Sequence, residues 1–185
     1  MESRQKQLIE GCKKNKRKAR NELYKLYANS LLGICLRYTR NRSEAEDVLH
    51  DAFIKIYTKI DQYSGAGSFE GWMKRITTNT AIQYLRERAR RDSKIQDKEV
   101  EHIDAMVDEQ DEEMPQIPAK ELMQMIQALP DGYRMVFNLY LFEEMSHKEI
   151  AQLMDISEST SKSQYFRAKQ YLRKEIKKRL EQIEK

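Results

Sequence analysis

Cysteine is almost missing from this chain. Cys12 and Cys35 are the only two in 185 residues, with no C-x-x-C spacing and no histidine cluster. That excludes a disulfide framework and a zinc site, and points to a reducing cytoplasm. Proline (3) and glycine (6) are scarce while charged side chains make up 35%, a composition that favours an all-α protein. No apolar run approaches the length that spans a bilayer, which argues against membrane insertion. The basic N-terminus has no apolar core behind it, so it is not a secretion signal. His50, His102 and His147 are scattered, the glycines form no phosphate loop, and the carboxylates follow helix faces and one acidic block. No catalytic constellation, metal site, cofactor or small-molecule substrate is therefore expected.

Charge is abundant and unevenly placed. The net +4 conceals 21 basic and 11 acidic side chains in residues 1–95, one and nine in 96–118, and 12 and 10 in 119–185. The middle block, "QDKEVEHIDAMVDEQDEEMPQIP", is acidic, poor in aromatics and closed by Pro115 and Pro118. It reads as a flexible linker. The organisation that follows is two small helical domains, 1–95 and 119–185, joined by an acidic linker over 96–118.

The stretch "SHKEIAQLMDISESTSKSQYFRAKQYL" (146–172) starts two helices within a dozen residues. Ser146-His147-Lys148-Glu149 is a capping box, and Ser157 is a second N-cap. Asp155 between them suits the left-handed backbone of a tight turn. Two helices across so short a turn cross steeply, which is helix-turn-helix geometry. In the second helix Ser161, Tyr165, Ala168, Leu172, Ile176, Leu180 and Ile183 form one stripe at steps of three and four. Ser161 interrupts its apolar character, and its hydroxyl is expected to bond back to a carbonyl one turn earlier. The opposite face carries Ser159, Thr160, Ser163, Arg167 and Gln170, flanked by Lys162 and Phe166. These side chains suit contact with base edges and phosphates in a major groove. The competing reading is a solvated face on a helical hairpin.

In the N-terminal part, residues 20–40 give an amphipathic helix with Leu23, Leu26, Tyr27, Leu31 and Ile34 inward. Gly33 inside it allows close helix packing. Ser43-Glu44-Ala45-Glu46 reads as another capping box. It opens a helix with Ala45, Val48, Leu49, Ala52, Phe53, Ile56 and Ile60 inward and Asp47, Asp51, Ile54 and Thr58 outward. An isoleucine beside two carboxylates on an outer face hints at a partner surface. Next, Ser64–Ser68 is a run of small residues bracketed by Tyr63, Phe69 and Trp72, and aromatic faces can hold an unstacked base. Phe69 and Trp72 are also natural core residues; Tyr63 is the better ligand-facing candidate. The following helix sets Trp72, Ile76, Asn79 and Gln83 along one strip and ends in Arg86, Arg88, Arg90 and Arg91, side chains that suit base edges and phosphates.

Taken together, "EAEDVLHDAFIKIYTKIDQY", "GSFEGWMKRITTNTAIQYLRERAR" and "LPDGYRMVFNLYLFEEMSHKEIAQLMDISESTSKSQYFRAKQYLRK" resemble an RNA polymerase sigma factor of the extracytoplasmic-function group. The likeness covers roughly residues 10–95 and 119–175. It implies a non-enzymatic, two-domain, all-helical transcription initiation factor that binds core polymerase, recognises the −35 and −10 promoter elements and promotes DNA melting. It implies that Glu46, Asp47, Asp51 and Ile54 meet the clamp of the largest polymerase subunit. Tyr63, Ser64, Gly65, Ser68, Trp72, Arg75, Asn79 and Gln83 would read the −10 element, where one base is flipped into a pocket. Ser159, Lys162, Ser163, Phe166 and Arg167 would contact the −35 element. The linker is similar to those that thread the RNA exit path, where acidic groups mimic nucleic acid. Further partners implied are the flap of the second-largest subunit, promoter DNA and an anti-sigma factor. The chain departs from the family's pattern at Ser161 and Gln164, where an apolar and a basic residue are commoner. A plain helix-turn-helix regulator would leave Ile54 and the 63–68 loop without a role. A helical adaptor bound only by proteins would not need Lys162 and Arg167.

Overall fold

The structure, a computed structural model, describes residues 2–93 and 117–183. All regular elements among them are helical. The chain divides into two compact units, Met1–Tyr84 and Leu85–Lys185. The boundary falls inside the fourth helix, whereas the expected linker, 96–118, lies outside the described residues except for Ile117 and Pro118.

The first unit contains α1 (Glu2–Lys13), α2 (Arg17–Tyr38), α3 (Arg42–Lys59), a 3₁₀ turn (Ile60–Gln62) and the start of α4 (Phe69–Ser93). The α3 stripe is buried as its periodicity requires: Ala45, Val48, Leu49, Ala52, Phe53 and Ile56, continued by Ile60. Burying each larger member stabilises the unit by roughly 1.5–3 kcal/mol. In α2 the buried arc is Leu23, Leu31, Ile34, Cys35 and Tyr38. Leu26 is not part of it and is 56% exposed. At 100° per residue it lies about a third of a turn from the centre of that arc. Gly33 is not a packing contact either, since nothing lies within 4 Å of where its Cβ would stand. The close approach is at Gly11, where a Cβ would sit 2.7 Å from the Cβ of Ala19 and force α1 off α2.

The start of α3 differs from the expected Ser43 box. Asn41 is the N-cap, its side chain accepting from the Glu44 amide at 2.9 Å. Glu44 reaches back to the Arg40 amide at 3.1 Å, and the N-cap lies two residues before the expected Ser43. Tyr57 on α3 donates its hydroxyl to the Arg20 carbonyl at 2.9 Å, and burial pushes its pKa up to about 12. Burial also pushes the Cys35 thiol up to about 12 and raises that of Cys12, so neither is a reactive thiolate.

The second unit contains α5 (Ala119–Ala128), α6 (Asp131–Leu141), α7 (His147–Met154) and α8 (Glu158–Ile183). Its core joins Ile126, Leu129, Phe137, Ala168 and Leu172. Arg134 is wholly buried there. Its guanidinium donates to the carbonyls of Gln127 and Leu129 at 2.7 and 2.9 Å and pairs with Asp131. It thereby satisfies carbonyls that the end of α5 leaves without helical partners. Ser146 and Glu149 form the reciprocal capping box at the start of α7. Asp155 closes α7 in the left-handed region at φ 57°, and the Ser157 hydroxyl accepts from the Thr160 amide at 2.9 Å to cap α8. The helix-turn-helix read from 146–172 is therefore present.

Candidate functional site

Between the 3₁₀ turn and α4 the backbone takes left-handed values at Gly65 (φ 84°) and Gly67 (φ 78°), which a side chain would strain. Ser64–Ser68 are all exposed. Beneath them Tyr63, Phe69 and Trp72 form one aromatic group, with ring centroids 5.0 Å (Tyr63–Phe69), 5.6 Å (Tyr63–Trp72) and 5.6 Å (Phe69–Trp72) apart. Phe69 is buried and belongs to the core; Tyr63 and Trp72 are half-buried. The Tyr63 hydroxyl donates to the Gly67 carbonyl at 2.8 Å and closes the loop on itself. Ser68 has a local role, since its hydroxyl accepts from the Gly71 amide at 3.0 Å and caps α4. Helical spacing carries the same surface along α4 through Arg75 and Asn79, both exposed, to Gln83, which accepts from Lys55 Nζ at 3.0 Å. Loop, rings and polar strip are thus contiguous. Of the arginines that end α4, Arg86 and Arg88 are half-buried.

The outward face of α3 holds Glu46, Asp47, Asp51 and Ile54, all exposed. Glu46 pairs with Arg42 at 2.8 Å, a surface contact of small energetic weight. Ile54 sits on the rim of a cleft of about 330 Å³ between α2 and α3, which Tyr24 and His50 also line. Tyr24 is largely exposed and packs its ring 4.7 Å from Phe53. The sequence reading did not single out Tyr24; at 100° per residue it falls between Leu31 and Cys35 on α2, so its spacing is that of a core residue and only the fold shows it open to solvent.

On α8 the candidate face is less free than its sequence suggests. Ser159 and Lys162 are exposed, and Lys162 bonds Glu158 one turn earlier at 2.7 Å. Ser163, Phe166 and Arg167 are half-buried. Ser163 donates to the Thr160 carbonyl at 3.0 Å, and Arg167 donates to the Tyr133 hydroxyl at 3.3 Å. Gln164 turns onto α6, so closely that a Cβ on Gly132 would meet its amide at 3.3 Å. Ser161 is fully buried, and its hydroxyl does not take the expected carbonyl: it lies 2.9 Å from His147 Nδ1 on α7. Among the described residues no group of three or more His, Cys, Asp or Glu is placed to hold a metal, and no helix is long and apolar enough to cross a membrane.

Two family models match the chain, sigma-70 region 2 over residues 23–91 and sigma-70 region 4 over residues 119–172. The RNA polymerase sigma-H factor of Pseudomonas aeruginosa is 32% identical over 181 residues, covering 92% of both chains. The extracytoplasmic-function (ECF) RNA polymerase sigma-E factor of Escherichia coli K12 is 32% identical, covering 88% of this chain and 89% of its own. The chain belongs to the sigma-70 family, in its extracytoplasmic-function group. This sigma factor is accordingly a transcription initiation factor, not an enzyme. It joins core RNA polymerase and recognises promoter DNA. Among solved structures, the sigma factor RpoE in co-crystal with the anti-sigma factor NepR from Bartonella quintana shares 20% identity, covering 85% of this chain and 96% of its own, with a TM-score of 0.46.

Proposed function

We propose that the sigma factor divides promoter recognition between residues 1–95 and 119–185, tethered by the acidic block 96–118. Ser159, Lys162, Ser163, Phe166 and Arg167 on α8 read the −35 element in the major groove, each good base contact contributing roughly 1–3 kcal/mol of discrimination. Tyr63, Ser64, Gly65, Ser68, Trp72, Arg75, Asn79 and Gln83 engage the −10 element and hold one base flipped out of the duplex. The observation that carries this reading is the half-buried Tyr63–Trp72 ring pair under an exposed loop, continuous with Arg75 and Asn79. An aromatic face replaces part of the stacking that a flipped base loses, and stacking of this kind is worth about 1–3 kcal/mol per base. Capture then biases a thermal opening, and no nucleotide hydrolysis is needed.

Glu46, Asp47, Asp51 and Ile54 on α3 are the surface for the clamp of the largest subunit. Leu141 and Phe142, exposed at the end of α6, suit the flap of the second-largest subunit. Apolar residues left open in both units also suit an anti-sigma factor that covers them until the protein is needed. The site of action is the cytoplasm. A holoenzyme titration on a duplex carrying only the −35 element tests the assignment of α8. Lys162→Ala with Arg167→Ala is expected to lower affinity by about tenfold or more and to reduce the salt dependence, because two cations leave the interface. Unchanged affinity at every salt concentration would contradict it.

A further inference from the structure

We infer that His147 is a positioning residue, which through Ser161 fixes how α8 is presented to duplex DNA. The inference rests on the reading of α8 as the −35 reader.

A serine inside a helix has a ready partner in the carbonyl one turn earlier. For Ser161 that is the Ser157 carbonyl, which already accepts the Ser161 amide at 3.0 Å. The hydroxyl points instead across the turn to His147 Nδ1, fourteen residues away, at 2.9 Å. Ser161 is fully buried, so this bond is the one its hydroxyl has been given in place of water. His147 is the first residue of α7, directly behind the Ser146 cap. Its ring stacks on Tyr140 of α6 at 4.5 Å and 15°, and meets Tyr165 of α8 edge-on at 5.8 Å and 62°. One imidazole therefore touches α6 and α8 while anchored on α7. Ser161 immediately precedes Lys162 and Ser163, so any rotation of α8 about this pin swings both side chains, since each residue is 100° from the next.

The pin also depends on protonation. In the neutral ring either partner can donate; in the imidazolium Nδ1 can only donate, and the serine must turn its proton elsewhere. The groups facing the ring are Tyr140 from α6, and Glu158, Lys162 and Tyr165 from α8. Lys148 follows it on α7. Burial, then the Lys162 charge, hold its pKa below the ordinary 6.5, against the opposing pull of Glu158. The sign follows: the neutral contact is favoured above the ordinary histidine range, and as pH falls through the depressed folded value Nδ1 still donates to the Ser161 oxygen, but the ring then carries a charge that burial and Lys162 oppose, which loosens α7 against α8.

The experiment measures how well holoenzyme discriminates a cognate −35 duplex from single-base variants, from about pH 8 to about pH 5.5. The chains compared are wild type, Ser161→Ala, His147→Leu, and the double variant His147→Leu/Ser161→Val. Circular dichroism checks that each chain is folded. His147→Leu strands the buried Ser161 hydroxyl and Ser161→Ala takes the partner from the half-buried His147 ring, and in each discrimination is expected to fall about tenfold. Wild-type discrimination is expected to weaken several-fold toward the acid end, whereas the double variant, with both polar groups gone and its fold regained, shows no such slope. Single variants that discriminate like wild type, or a double variant that keeps the wild-type pH profile, would overturn the role of His147. Wild-type holoenzyme indifferent to −35 sequence at every pH would overturn the reading of α8 itself.

Discussion

At the scale of single residues, the least exposed groups in the second unit are not all apolar. Arg134 shows no side-chain surface to solvent, yet it holds two carbonyls at the end of α5 and the Asp131 carboxylate. Arg134→Met keeps much of the volume and removes every one of those bonds. It is expected to cost about 2–3 kcal/mol of stability, because the Gln127 and Leu129 carbonyls lose their partner and the half-buried Asp131 carboxylate keeps Arg88, at 3.4 Å, but loses the Arg134 guanidinium. Denaturant unfolding of the full chain checks this; a change within a few tenths of a kcal/mol would mean that water replaces the guanidinium. Nothing in the periodicity marked Arg134, because its neighbours on α6 are buried all round and no stripe stands out. Ser161 was legible as an exception to its stripe, but its partner was not. The carbonyl expected lies four residues away and the histidine found lies fourteen, and only the fold brings that histidine near. Leu26 and Gly33 were misread for the opposite reason: α2 is long enough that an apolar residue or a glycine can fall outside the packed arc without harm.

At the scale of elements, caps and turns were the most legible features, since each is decided within a few residues. The Ser146 box, the left-handed Asp155 and the Ser157 cap stand where the sequence puts them. The start of α3 was ambiguous in the residues themselves. Asn41 and Ser43 are both good N-caps, and each has a glutamate three residues on, Glu44 and Glu46. The helix is capped by the earlier one, and Glu46 pairs with Arg42 at 2.8 Å. Asn41→Ala is therefore expected to lower stability by about 1 kcal/mol, whereas Ser43→Ala stays within about 0.5 kcal/mol. Thermal melts of the two variants separate these outcomes, and the reverse order would restore the Ser43 cap. The candidate sites show the same gradation. Membership of Asn79 and Gln83 in one strip of α4 follows from spacing alone. That Ser68 caps α4 and that Arg167 meets Tyr133 requires the folded backbone.

At the scale of the whole molecule, the sigma factor presents charge and aromatic faces with different tasks. Lysine and arginine contacts to phosphate hold promoter DNA without regard to sequence and weaken with salt. In the division of labour proposed above, reading and opening rest on the groups on α8 and the surface running from Tyr63 along α4. Opening is expected to be separable from holding. The most direct measurement is the rate of strand separation at a cognate promoter by holoenzyme carrying Tyr63→Ala with Asn79→Ala, followed by permanganate reactivity of unpaired thymines, alongside occupancy of the −35 element. The expected result is a full −35 footprint with opening slowed about tenfold or more, the weight of one lost stacking platform. A full footprint with opening as fast as in the wild type would contradict it.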